Sequence, residues 1–312
     1  MMLLIIPVLV LLLFLWSALL WGYTEQDDSI PIEPDLARVF DPKCLPIELV
    51  HSEPSTKAII MVHGFPSTPY TYHWAAKEAY KQGYDVFVPL LPGFGTAVED
   101  LYNTTFSQWF AYLQKVYETK RGAYEHLFVV GTSMGGSMAL KLAQKFNSPP
   151  LQPDAICTIG APVFLNDITV GVIQKWGYYL MRLVALFTPA LSPAPFAGSE
   201  NKNDGEELWV GYKGSFVKGG VSFMYALKTI RKDLPYITAP LIAMHDKRDK
   251  TISSKNLEVI TSSVSSEHVE RISTEMQSNH NRHILLSYPS IQHPLLQNML
   301  QFFNQFCSGE PQ

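Results

Sequence analysis

The sequence predicts an α/β protein built on a mostly parallel β-sheet with helices on both faces. Three observations predict it. Short apolar runs alternate with longer helical patterns from about residue 57; a Gly-x-Ser-x-Gly lies between one such run and the helix after it; and loops bearing first acids, then histidines, follow later runs. Parallel strands cannot be joined by tight hairpins and need helical crossovers, so this alternation reads as a doubly covered parallel sheet. At 312 residues, 47% hydrophobic and 17% charged, the chain has room for one large domain of this kind.

In chain order, residues 1–22 carry no charged side chain and read as Leu, Ile, Val, Phe and Trp with Ser17 among them. That is the length of a membrane-crossing helix, about 20 residues. A cleaved signal has a shorter apolar core and a basic start, which this segment lacks. The expectation is a single-pass anchor, with secretion or a periplasmic location after cleavage as the alternative. Trp16, Trp21 and Tyr23 suit an aromatic belt, and a flank poor in Lys and Arg favours a main domain on the non-cytoplasmic side. Residues 23–44, with Glu25, Asp27, Asp28, Pro31, Glu33, Pro34 and Asp35, read as an acidic tether and lead-in.

Residues 45–162 hold the first part of the core. Lys57–His63 is a buried strand, Tyr70–Gln82 a helix ended by Gly83, Asp85–Leu91 a strand, and Phe106–Lys120 a helix. His126–Gly131 is the third strand, Met134–Phe146 a helix and Ala155–Gly160 the fourth strand. The alternation stops over residues 163–236, which are rich in aromatics and read as an inserted helical cap. It resumes over residues 237–307 with a strand at Pro240–His245, a helix near Lys255–Ser262, a strand near Val269–Thr274 and a last helix at Pro294–Phe306.

Composition excludes several classes. Net charge is −4 and no basic block occurs, so nucleic-acid binding is not expected. Three cysteines, Cys44, Cys157 and Cys307, with no C-x-x-C pair, exclude a disulfide framework; one bridge such as Cys44 with Cys307 stays open. The histidines form no ligand spacing of the H-E-x-x-H type, so no metal and no cofactor is expected.

Gly131-Thr132-Ser133-Met134-Gly135 is the chemical centre. A serine on a strained strand-to-helix turn is exposed for attack, and the flanking glycines let neighbouring chain come close. Its hydroxyl is a poor nucleophile and needs a base oriented by a carboxylate. Asp246 and Asp249, after the strand at 240–245, both qualify as the acid. His280 and His283 both follow the last strand; His280 is preferred as the base because it sits in a polar loop, whereas His283 opens the apolar run Ile284-Leu285-Leu286. Backbone N–H groups of Phe65, after His63-Gly64, and of Met134 are the expected oxyanion donors, and His63 orders that loop.

These stretches, with MVHGFPSTP (61–69), PLLPGFGT (89–96), VVGTSMGGSMAL (129–140), PLIAMHDKRDKTIS (240–253) and SNHNRHILL (278–286), resemble the carboxylesterase and monoacylglycerol-lipase branch of the α/β-hydrolases, related to the serine aminopeptidase-like group. The resemblance covers residues 45–306. It implies the α/β-hydrolase fold, Asp249 as the acid because a short hydrophobic turn follows it, and His280 as the base because a small residue stands two positions before it. It also implies hydrolysis of carboxylic esters with an apolar acyl group. Peptide or amide cleavage, acyl transfer, and a catalytically silent binding module at a membrane are the alternatives. One departure stands out: Phe94 occupies a loop position where close relatives often carry His. The cap's Trp176, Tyr178, Tyr179, Met181, Leu183, Leu186 and Phe187 could line an acyl pocket, a role equally open to core packing.

Overall fold

The computed structural model describes residues 5–14, 32–102, 104–165, 181, 183–198, 209–276 and 281–307. Its core is a seven-stranded sheet in the order β1-β3-β2-β4-β5-β8-β9. The strands are β1 (Ile47–Leu49), β2 (Lys57–Val62), β3 (Asp85–Val88), β4 (His126–Thr132), β5 (Ala155–Ile159), β8 (Leu241–Asp246) and β9 (Val269–Thr274). Only β1 runs antiparallel, as an edge strand on β3; every other pairing is parallel. β1 was not anticipated, because three residues at an edge carry too little pattern to stand out.

The central strands are apolar along nearly their whole length because both faces are covered. Alternate residues of β2 show it: Ile60 and Val62 join one buried cluster, Ile59 and Met61 the other. The covering helices are α1 (His73–Lys81), α2 (Val98–Tyr102), α3 (Phe106–Arg121), α4 (Met134–Lys145), α5 (Val217–Lys232), α6 (Lys255–Ser263) and α7 (Gln292–Asn304). α3 opens on a capping box in which Thr105 and Gln108 satisfy each other's backbone N–H groups. The helix expected from Tyr70 begins three residues later, because Pro69–Tyr72 forms a 3-10 turn that leads into α1.

The insertion over residues 163–236 departs from an all-helical cap. β6 (Leu191–Gly198) and β7 (Trp209–Ser215) form an antiparallel ribbon that leads into α5. Pro193, Pro195 and the Gly residues of both strands oppose helix there, whereas Val217–Lys232 has no proline to break it. The ribbon is fastened to the loop after β2: Tyr212 N donates to Pro66 O at 3.0 Å, Thr68 Oγ1 to Val210 O at 2.9 Å, and Ser67 bridges Gly211.

Among the described residues no helix is long and apolar enough to cross a membrane, which leaves the anchor expected over residues 1–22 without support. Within it residues 5–14 are helical and exposed. The rest of that stretch, with Trp16, Trp21 and Tyr23, lies outside the described residues, as do Trp176, Tyr178 and Tyr179. Cys44, Cys157 and Cys307 are all free thiols.

Candidate active site

Ser133 stands between the end of β4 and the start of α4, at the middle of the sheet. Its φ is 56°, a left-handed conformation that costs a non-glycine residue roughly 1–3 kcal/mol and persists only where surrounding structure enforces it. The enforcement is visible. Ser133 N donates to Ile159 O of β5 at 2.8 Å, and Thr132 Oγ1 meets the buried Tyr72 hydroxyl at 2.6 Å. A Cβ on Gly131 would lie 2.1 Å from Gly135 O, and one on Gly135 2.0 Å from Val62 O. No other residue fits the crossing of α4 over β4 and β2.

The loop after β2 lies directly against the serine: a Cβ on Gly64 would be 3.0 Å from that of Ser133. His63 orders this loop from within. It is fully buried, with Nδ1 donating to Gly64 O at 3.0 Å and Nε2 accepting from Leu91 N at 3.2 Å, and burial lowers its pKa to about 4, so the ring is neutral. Phe94 is packed edge-on against His63 and Phe65 rather than facing the cavity. Phe94 therefore supports the segment of His63 to Phe65 from behind.

Asp249 and Asp246 separate cleanly. Asp246 Oδ2 accepts from Thr274 Oγ1 at 3.1 Å and Met276 N at 2.7 Å, and its Oδ1 from Arg248 N. It is wholly buried and locks the end of β8 to the end of β9. Asp249 sits on the following loop with its side chain fully buried. Its Oδ1 accepts from Thr251 N at 2.7 Å and Ile252 N at 3.0 Å, and its Oδ2 accepts from His283 Nδ1 at 2.6 Å.

The histidine brought to the acid is thus His283, the second choice from sequence; the preferred His280 lies outside the described residues. The apolar run that counted against His283 is what holds it in place. Leu285 and Leu286 are buried in a 3-10 turn, Leu285–Ser287, and burying each contributes about 1.5–3 kcal/mol, which anchors the ring one turn upstream. His283 also packs against the end of β5, where a Cβ on Gly160 would lie 3.1 Å from Nδ1. With Nδ1–H committed to the carboxylate, Nε2 is the acceptor. Nε2 is buried and has no hydrogen-bond partner among the described residues.

Burial pushes the Asp249 pKa up, but hydrogen bonds from His245 and His283, the charge of His283 and the Ile252 N–H outweigh it and hold the carboxyl at about 2, below its usual 3.8. A folded-state pKa below the unfolded one gives stability that is present above the unfolded value and lost as pH falls through the folded value. About 2 kcal/mol of stability, present at neutral pH, therefore disappears between roughly pH 4 and pH 2. Asp249→Asn is expected to lack this increment, so melting temperatures of the two proteins should converge over that window; a constant gap would refute the assignment.

Ser133 and His283 line one cavity of about 410 Å³. Its walls include Phe65, Tyr70, Ile284 and Tyr288 from the core, and Trp209, Tyr212 and Lys213 from β7. Among the described residues the cap contributes through β7; of the residues expected to line the pocket, Phe187 is 72% exposed and Met181 packs beside Ala185, Val217 and Val221. Missed by sequence reasoning was His245, whose Nε2 lies 3.0 Å from Asp249 Oδ2. A histidine closing an apolar parallel strand, four residues before the acid, was the available signal.

A serine on a strained turn after the central strand, a buried carboxylate after β8 and a histidine after β9, set on a mostly parallel sheet covered by helices, make the architecture that of an α/β-hydrolase. The chain belongs to the serine aminopeptidase family (S33), whose model matches residues 53–281. It is 35% identical over 127 residues to a thermostable monoacylglycerol lipase of Bacillus sp. (strain H-257), covering 40% of this chain and 48% of that enzyme; the match spans about half the length of that relative. A structure from the metagenome-derived lipolytic enzymes LipS and LipT superposes with a TM-score of 0.70 at 22% identity, covering 85% of this chain and 98% of that one. A soluble variant of the monoglyceride lipase of Saccharomyces cerevisiae, solved with a substrate analog, gives 0.64 at 18% identity, with 85% and 92% covered.

Proposed function

We propose that the protein is a serine carboxylic ester hydrolase that acts on esters of apolar acids, monoacylglycerols among them, through an acyl-enzyme on Ser133. The observation that carries this reading is His283: Nδ1 is fixed on Asp249, Nε2 has no hydrogen-bond partner among the described residues, and the ring lines the same cavity as Ser133.

In this reading His283 Nε2 takes the Ser133 hydroxyl proton as Oγ attacks the ester carbonyl carbon. The N–H groups of Phe65 and Met134 receive the developing oxyanion, each contributing a factor of about 10²–10³ in rate. Met134 suits this because it opens α4, where backbone N–H groups have no partner within the helix. His283 then protonates the departing alcohol, and a water deprotonated by the same nitrogen releases the acid. Asp249 keeps the tautomer and stabilises the imidazolium.

An ester is favoured over an aminopeptidase substrate by charge. A peptide's free amino terminus needs a carboxylate, and among the described residues lining the cavity there is none, the charged side chain there being Lys213. The names borne by the relatives point the same way. A fluorophosphonate probe tests the reading: covalent labelling of the wild type that is absent in Ser133→Ala, with turnover of monoacylglycerols and p-nitrophenyl esters, is expected. A well-folded wild type that is neither labelled nor active would instead be a silent binding module.

A further inference from the structure

His245 lies in β8, the strand paired with β5 on one side and β9 on the other, and its side chain is 1% exposed. Its Nε2 is 3.0 Å from Asp249 Oδ2 and 3.2 Å from Ile252 O. An ionised carboxylate and a carbonyl only accept, so Nε2 carries the proton and donates to both. Asp249 thereby receives four donors: two imidazole N–H groups on Oδ2 and two backbone N–H groups on Oδ1. That matches the roughly four lone-pair sites a carboxylate has.

We propose that His245 is a positioning residue that holds Asp249 in the orientation its bond to His283 requires. The proposal rests on the reading of Ser133, His283 and Asp249 as one catalytic set. Its physical basis is the origin of the donors. Thr251 and Ile252 belong to the same loop as Asp249 and move with it, so their N–H groups set the carboxylate's rotation only relative to that loop. His245 is the donor that belongs to the sheet.

Through Asp249 and Ile252 together it pins both ends of the turn to β8. It also shares Oδ2 with His283, which weakens that oxygen as a proton acceptor and keeps the proton on the imidazole. His245 does not line the cavity of Ser133, so its influence passes through Asp249 and leaves substrate binding alone.

The test compares His245→Met, similar in size but with no donor, with His245→Gln, whose amide N–H reaches close to the place of Nε2. In the Met variant kcat is expected to fall about 10–100-fold with KM within about twofold, since small displacements of a catalytic group cost rates of this order. The low-field proton NMR signal of the His283 Nδ1–H in its bond to Asp249 should shift or broaden. The Gln variant should recover most of both. Wild-type kcat in the Met variant, equal impairment of Met and Gln, or a KM that rises in step with the loss of kcat would each overturn the proposal.

Should the Met variant not fold, His245→Asn takes its place: its amide is one methylene short, so it is expected to be impaired where Gln is active, and equality of the two would overturn the role. Probe labelling separates the two levels. An unlabelled, inactive wild type removes the catalytic reading itself, whereas a labelled, active wild type with an unimpaired Met variant removes only the role of His245.

Discussion

Ser133→Ala lowers kcat for ester hydrolysis by about 10⁴–10⁶-fold, the scale on which serine hydrolases lose their nucleophile. The fold is expected to survive, because alanine keeps the Cβ around which Gly64 and the β5 end are packed and removes only the hydroxyl. A second substitution distinguishes chemistry from strain. Ser133→Gly removes the hydroxyl and also relieves the positive φ of 56°, so it should be as inactive as Ser133→Ala yet melt at a higher temperature. The pair is read by steady-state turnover and thermal melting. Turnover retained in either variant would exclude Ser133 as the nucleophile.

His283→Ala is expected to cost about 10⁴-fold or more in kcat, whereas His280→Ala changes it by no more than a few-fold. The argument is one of partners. A base must be held by a carboxylate on one nitrogen and be open on the other; His283 has Asp249 Oδ2 on Nδ1 and, among the described residues, no partner on Nε2. The remaining acceptor capacity of Asp249 is taken up by His245 and the N–H groups of Thr251 and Ile252. A collapse of activity in His280→Ala, with His283→Ala active, would restore the order of preference read from the sequence.

The contrast between these two histidines marks how far the chain could be read before its structure. The elbow was legible because its requirements are local: a buried strand, a serine between glycines and a helix, in adjacent residues. Asp249 is legible as one of two acids on a short loop and is the one the resemblance implies; the structure adds that Asp246 is engaged by Thr274 and Met276. Polarity around His280 looked like access to substrate, and the leucines after His283 looked like burial away from it. Yet a base is built by anchoring, and buried neighbours are what anchor it.

The cap followed the same division. Its existence was plain from the interruption of the strand and helix alternation, but its ribbon depends on which segments find a partner. β6 and β7 pair with each other, and β7 docks on the loop of Pro66 to Thr68. Such contacts leave almost no trace in either segment alone. His245 was overlooked for the same reason, since its importance lies in where Asp249 comes to rest.

What the sequence determined by itself was the sheet, the strained turn of Ser133 and the order in which the carboxylate and histidine loops arrive, because hydrophobic period and local backbone demands are written in neighbouring residues. Tertiary structure alone decided which histidine meets Asp249, which strand of the cap walls the cavity and what steadies the acid. Those depend on long-range packing and on hydrogen bonds that exist only once distant loops are brought together at the ends of the parallel strands.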